Sequence, residues 1–299
     1  MALRILELFG YAPQDASEAA ANIRQAHQCP FLQSPCTKIF HDKTPSGVCT
    51  VTQIVNPEPV ICCPNRLYDS DYRFLADVAG ASFGEGMRLI SGREVARVQH
   101  DGRCVAVFGK RWGKELRLPQ KRGRGGYYID WILALIGEDG KLREFVAVEV
   151  QAIDTTGNYR AERDAYMRGT ANPAASKGGL NWENVAKRIL SQIIYKGHVL
   201  RLEPLCTKGL FFVVPTPVYT RIRQRIAGDL RDYRPHPGSL TFLWYDLGPG
   251  VAPGQRRALL PGNHFTTTID QVSYALSMPT NLPPAGVYQR AIEAVLNAG

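Results

Sequence analysis

The sequence has no uninterrupted apolar run long enough to span a membrane. Its N-terminus lacks the apolar stretch and small-residue cleavage site of a signal peptide. Together these absences predict a soluble, cytoplasmic protein. No internal repeat or low-complexity tract is present, so the chain is not built from stacked units. Histidine is scarce: His27, His41, His100, His198, His236 and His264 are dispersed, and no Ser-His-Asp arrangement is legible. Acidic residues are short as well. Asp plus Glu number 27 against 36 Lys plus Arg, a net charge of +9 with a pI near 9.3. That excess suits a polyanionic partner, because phosphate neutralisation supplies most non-specific DNA affinity. Charge alone also fits basic enzymes that bind no nucleic acid. At 299 residues, the chain can bury a sizeable core as one large domain or one domain with an appendage.

What is present is organised around a hairpin, Tyr127 to Gln151. Two aromatic and β-branched runs flank a turn built on Asp139-Gly140. Both runs are nearly all apolar, so both faces are expected to be covered. Asp130, Glu149 and Gln151 are the polar exceptions. Glu149 and Gln151 are two apart, which puts them on one face, roughly 7 Å from each other. With Asp139 and Gly140 as the central turn residues, Asp130 falls directly opposite Glu149. A four-residue loop puts Asp130 opposite Ala147, diagonal to Glu149. Either register gathers all three side chains on one face, and a slip by one residue scatters them. Two carboxylates and an amide oxygen make a hard-oxygen site of the kind Mg²⁺ prefers. The alternative is a pair of solvated structural carboxylates near a strand end.

Along the rest of the chain, Ala2 to Phe9, Ala16 to His27, Tyr72 to Val78 and Arg93 to Gln99 read as helical, and Cys104 to Phe108 reads as a strand. Leu116 to Gly126 is a basic, glycine-containing loop. Asp154 to Gly179 is a long polar connection of the kind that is functional or disordered. Apolar residues at helical spacing from Trp182 to Ile194 predict a helix over 181–196, with Asn181 as N-cap and Gly197 closing its end. Strands follow at Gly209–Val214 and Leu240–Leu247, with a basic helix between them at Val218–Leu230. Gly248–Gly262 reads as loop, and an amphipathic helix runs from Pro284 to Leu296. Mixed strands and helices predict an α/β class, specifically an α+β mixed sheet.

Five of seven cysteines cluster early: Cys29, Cys36, Cys49, Cys62 and Cys63. Four thiolates on irregular loops can close a tetrahedral site for Zn or Fe. The alternatives are disulfides, disfavoured in a reducing cytoplasm, or buried thiols. Cys104 and Cys206 read as core residues.

Asp130 followed at about twenty residues by Glu149-Val150-Gln151 resembles the active site of PD-(D/E)XK nucleases, with Gln in place of the usual Lys. Cys29-Pro30-Phe31, Cys36-Thr37-Lys38, Gly47-Val48-Cys49, Cys63-Pro64-Asn65-Arg66, Gly113-Lys114-Glu115, Ile129-Asp130-Trp131, Val148-Glu149-Val150-Gln151 and Asn184-Val185-Ala186-Lys187-Arg188 resemble, in that order, the NotI-type restriction endonucleases. The resemblance runs from about residue 1 to about 250, and the length is similar to that of a shorter member of the family. It implies a PD-(D/E)XK core at 93–250. It also implies an N-terminal region at 1–92 with helices and a four-cysteine metal module, and a packed C-terminal extension at 251–299. The implied activity is type II restriction: Mg²⁺-dependent double-strand cleavage of a G·C-rich palindrome with a CGGCCG-like centre.

Asp130 and Glu149 are the implied Mg²⁺ ligands, Gln151 the residue orienting water, and Glu115 an earlier acid supporting the metal shell. Cys29, Cys36, Cys49 and Cys63 are the implied ligands of a structural Fe or Zn, with Cys62 as an unresolved alternative to Cys63. Candidate DNA contacts are Arg122, Arg124, Arg160, Arg163, Arg221, Arg223 and Arg225, since Arg can pair bidentately with guanine. The implied partners are double-stranded DNA, a second copy of the chain, and a cognate DNA methyltransferase in the same prokaryotic cell. Two other function classes fit the same residues: a related nuclease of repair or mobile-element defence, and a non-catalytic, metal-stapled DNA-binding regulator.

Overall fold

Strand alternation builds the core. The computed structural model describes residues 2–55, 57–97, 102–110, 112–113, 115–119, 126–226 and 228–297. Among these, seven strands form the main sheet: β1 (Arg88–Ser91), β2 (Cys104–Gly109), β3 (Trp131–Ile136), β4 (Leu142–Val150), β5 (Leu210–Pro215), β6 (Ser239–Leu247) and β7 (Leu259–Thr268). They lie side by side in chain order. β1–β2, β4–β5 and β5–β6 are parallel; β2–β3, β3–β4 and β6–β7 are antiparallel. The sheet is thus of mixed orientation.

Side chains of alternating parity fall into two separate cores. Ile132, Ala147, Leu210, Phe212, Leu240 and Phe242 face helices that include Ser191–Leu200, Thr216–Arg225 and Ile269–Ser277. Trp131, Leu133, Val146, Val148, Phe211 and Val213 face the helix Asp69–Phe83 through Phe74, Leu75 and Val78. A second, five-stranded antiparallel sheet runs Thr155–Gly157, Ser176–Leu180, Ala2–Leu8, Val48–Gln53, Pro59–Ile61. The N-terminal residues and the stretch after the hairpin therefore share one sheet.

Several local expectations are corrected. Ala2–Leu8 is a strand rather than a helix, with Leu3 and Ile5 buried alternately. Residues 93–97 form turns rather than a helix, and residues 98–99 of that expected helix lie outside the described residues. The basic helix spans Thr216–Arg225 and ends before Leu230. The expected loop at 248–262 gives way at Leu259 to strand β7. Within 116–126, Arg117–Pro119 pairs with Gly126–Tyr128, while Lys121, Arg122 and Arg124 lie outside the described residues. Asn181 does cap its helix, its side chain accepting from Asn184 N–H. Gly197, however, lies inside the helix Ser191–Leu200 rather than closing it. Its Cβ, if present, would stand 2.3 Å from Ile269 Cδ1, so glycine is what allows the two helices to close on each other. The terminal helix Val287–Leu296 has no buried residue, whereas Ile269 and Val272 of the preceding helix are buried.

A buried ion pair ties the two sheets' surroundings together. Arg66 Nε lies 2.9 Å from Glu7 Oε2, with both side chains fully buried. The same guanidinium pairs with Asp69 at 3.1 Å and donates to Arg257 O at 2.6 Å. It also stacks over the Phe31 ring. One side chain thus joins the first strand, the start of the helix at Asp69 and the loop before β7. Removing one partner of such a pair leaves the other charge buried and uncompensated. Arg66→Ala is expected to lower unfolding free energy by about 3–5 kcal/mol. The double change Arg66→Met with Glu7→Gln should cost clearly less. Urea denaturation of the two proteins checks this; equal losses would mean that the pair's charge is not what matters.

Candidate active site

The hairpin fixes where the carboxylates go. Trp131 pairs with Val148 and Ile132 with Ala147, so continuing the ladder by one residue sets Asp130 opposite Glu149. The pairing at the acids is that of the first register read from the sequence, but the turn is not: Gly140 N–H donates to Gly137 O and Gly137 N–H to Lys141 O, so Glu138 and Asp139 are central, and a register shift between Leu135 and Ile136 restores the pairing. On the other side, Trp131 pairs with Gly109 of β2. A Cβ on Gly109 would stand 2.3 Å from the Trp131 ring, so only glycine admits the indole there. That ring is held edge-on by Tyr68, Tyr72 and Phe74. Asp130 is therefore anchored on both sides in sequence, with Ile129 and Trp131 each 1% exposed.

Backbone hydrogen bonds lock the two acids together. Val150 N–H donates to Asp130 Oδ2 at 2.9 Å, and Asp130 N–H donates to Glu149 Oε1 at 3.4 Å. Glu149 is buried and Asp130 half-buried. Burial pushes the Glu149 carboxyl up to about 7, and the neighbouring Asp130 charge adds to this against the pull of Lys196. Burial likewise raises Asp130. The Val150 N–H and the Lys196 ammonium oppose that rise, Glu115 adds to it, and Lys110 opposes it. Two carboxylates that destabilise each other's charged form make a pair that a hard cation would relieve. The donor set therefore fits Mg²⁺, which needs only one or two carboxylates beside water and phosphate oxygens.

Glu115 is exposed on its loop and close enough to Asp130 to act on it electrostatically. Gln151 follows β4, half-buried, with its backbone N–H donating to Val213 O at 3.0 Å. By strand parity it shares the face of Ala147 and Glu149. Its amide makes no hydrogen bond to either acid among the described residues.

The sequence reading missed Lys196. Its Nζ lies 2.7 Å from Glu149 Oε2, with the two side chains 11% and 2% exposed. It belongs to the buried stripe Ile193, Lys196, Gly197, Leu200 of its helix. A lysine at the i+3 position of an apolar stripe was the available signal. Taking Gly197 as a helix end hid it.

The cysteines also converge. Burial raises the Cys49 thiol well above its usual value, and Cys63, Glu7, Cys29 and Cys36 add to that. Cys63 is pushed up to about 12, first by burial. Cys62 turns the other way, as expected of the next residue on an extended strand. Its thiol lies 3.4 Å from the half-buried Lys38 ammonium and 3.5 Å from Cys49 O. Burial works against that ammonium, but Cys62, Tyr159 and Cys63 overcome it, and the Lys38 pKa is raised. Among the described residues, no group of three or more His, Cys, Asp or Glu side chains is disposed to hold a metal ion. The four thiols are thus within electrostatic reach without forming a closed ligand set. Cys104 and Cys206 are buried core residues.

A family model described as restriction endonuclease NotI matches residues 16–232, well over half of the chain. The chain belongs to the NotI restriction endonuclease family. It is accordingly a site-specific deoxyribonuclease. The match takes in the cysteine loop, both hairpin acids, Gln151 and Lys196, and stops before β6. A search of curated proteins finds no match. No helix among the described residues is long and apolar enough to cross a membrane.

For a NotI-family enzyme the arginines matter, and the structure separates them. Arg221 and Arg225 are exposed on the helix Thr216–Arg225, Arg221 lying over the Trp182 ring. Arg223 is half-buried over Phe265. Arg160 is held by Asp42 at 2.6 Å and by Asp164 at 3.4 Å. Arg163 is buried, donating to Ser46 O and Pro45 O and pairing with Asp164. Its guanidinium serves the protein's own backbone.

Proposed function

We propose that the chain is a type II restriction endonuclease that makes Mg²⁺-dependent double-strand cuts at a G·C-rich palindrome with a CGGCCG-like centre. The observation that carries this is the cross-strand pair Asp130 and Glu149, half-buried and buried side by side on the face covered by Ser191–Leu200. In this reading the core is of the PD-(D/E)XK type. Asp130 and Glu149 are the ligands of the catalytic metal, with Glu115 behind them. A bound Mg²⁺ would supply a water of lowered pKa and offset charge on the scissile phosphate. Gln151 carries a neutral amide, which orients water by hydrogen bonding and cannot deprotonate it.

A palindrome implies a two-fold dimer with one active site per strand. The exposed Arg221 and Arg225 are candidates for DNA contact, together with Arg122 and Arg124, which lie outside the described residues, and the paired Arg160. The four thiols Cys29, Cys36, Cys49 and Cys63 hold one structural Fe or Zn. Their mutual electrostatic reach and the opposite orientation of Cys62 support that set. A cognate methyltransferase protecting the same sites in a prokaryotic cytoplasm completes the reading.

Incubation with plasmids and Mg²⁺ should yield discrete fragments. Absence of cutting points to a regulator, and smears or damage-dependent nicks to a repair nuclease. Asp130→Ala and Glu149→Ala should each abolish cleavage while leaving DNA binding largely intact; near-normal cutting by either removes it from the site. Gln151→Ala should lose about 10²-fold in single-turnover cleavage, the order seen when one positioning donor is removed. More than half the wild-type rate would place Gln151 outside the reaction.

Purified protein should carry about one Fe or Zn per chain. That metal should be lost when any of the four cysteines becomes Ser and largely kept in Cys62→Ser. Elemental analysis decides between this and a metal-free thiol cluster.

A further inference from the structure

The candidate site contains a cation that the strand motif does not supply. Gln151 occupies the strand position two residues after Glu149, where an ammonium would stand in a Glu-X-Lys pattern, and it is neutral. The ammonium comes instead from Lys196, on the helix that covers this face, 2.7 Å from Glu149 Oε2. Two local features set its direction. Val185–Leu190 is π-helical, directly before the helix Ser191–Leu200. Each residue in excess of α-helical winding rotates everything after it by about 100°. Gly197, next to Lys196, lets this helix press against Ile269. π-helical turns often sit at functional sites, where they re-aim a side chain.

We propose that Lys196 is a positioning residue of the cleavage site: from the helix, it holds the Glu149 carboxylate in place and sets beside the two acids the fixed positive charge that Gln151 cannot provide from the strand. This rests on the reading of Asp130 and Glu149 as the catalytic acids. A role in folding alone is the weaker account. Apolar residues of similar volume commonly stabilise a core as well as a buried ion pair does, so the pair is poor evidence of a stability device. A lysine ammonium is a compact point charge suited to phosphate, and phosphodiester hydrolysis gathers negative charge on the phosphate.

The test compares Lys196→Met, which keeps the stem and removes the charge, with Lys196→Arg and Lys196→Gln. Single-turnover cleavage is measured with saturating Mg²⁺. Mg²⁺ affinity is measured separately by titration calorimetry without DNA, and folding by the urea midpoint. Lys196→Met should cut about 10²-fold more slowly. It should nevertheless bind Mg²⁺ as tightly as wild type or tighter, because a nearby positive charge has gone. A misfolded site would instead weaken both. Lys196→Arg should keep at least about a tenth of the rate, and Lys196→Gln should resemble Lys196→Met.

Relocating the charge gives the sharpest comparison. Lys196→Met with Gln151→Lys should cut at least about tenfold faster than Lys196→Met with Gln151→Ala. Cleavage by Lys196→Met within threefold of wild type overturns the proposal. So does a slow variant with weakened Mg²⁺ binding that neither arginine nor the relocated lysine improves. If Lys196→Met does not fold, Lys196→Gln carries the test, and a wild-type rate in it overturns the proposal. Normal cutting by Asp130→Ala and Glu149→Ala would instead remove the underlying reading; inactive acid variants beside fully active Lys196 variants would remove this inference alone.

Discussion

Two like charges held side by side in a protein interior are unfavourable, and the main sheet is arranged around that constraint. Asp130 and Glu149 are adjacent because Trp131 pairs with Val148. That register depends on the Trp131 indole entering a place open only because residue 109 is glycine. It depends equally on the aromatic wall of Tyr68, Tyr72 and Phe74 on the opposite face of the sheet. With the register set, Glu149 points into the face covered by Ser191–Leu200, where an unpaired carboxylate would be costly. Lys196 answers that charge in part only. The Glu149 carboxyl still titrates near 7, and burial with the nearby Asp130 is the reason. A site left short of positive charge in this way fits a hard cation.

The N-terminal region is tied to the rest of the chain by charges of its own. Its first strand supplies Glu7, which is buried and paired with Arg66. Arg66 in turn reaches Arg257 O just before β7. The cysteine loop is held by a second, half-buried cation. Lys38 donates to Cys62 O at 2.8 Å and to Val48 O at 3.4 Å, spanning two strands of the smaller sheet. Cys62 meets Lys38 at its thiol, while Cys63 acts electrostatically on Cys49.

Much of this was legible because it rests on periodicity. The hairpin, its register, the Asn181 cap, and strands β2, β5 and β6 all follow from alternation and turn residues. The misreadings have local physical causes. Ala2–Leu8 reads as a helix because a buried Glu7 and register shifts around it break the alternation of Leu3 and Ile5. β7 reads as a loop because it carries Pro261, Gly262 and Asn263. An edge strand tolerates Pro, and Gly262 makes room for Trp244, whose ring would stand 2.3 Å from a Cβ there. Lys196 was invisible because Gly197 looks like a helix terminator when nothing shows Ile269 pressing against it. In each case the deciding contact comes from a residue distant in the chain, which local pattern cannot report.

The family match ends at residue 232, yet the main sheet does not. β5 is parallel to β6 from Leu210↔Leu240 to Pro215↔Tyr245, so its outer backbone groups need that later strand. Phe212 packs on Phe242, and Tyr219 of the matched region stacks on Trp244 at 3.9 Å. The two parts answer to different demands. A covering strand must offer backbone hydrogen bonds and an apolar face, which many sequences can do. A site built on two facing acids and an ammonium at 2.7 Å admits few substitutions. The family match takes in the acids and the helix that carries Lys196, and it ends before the strand that covers β5.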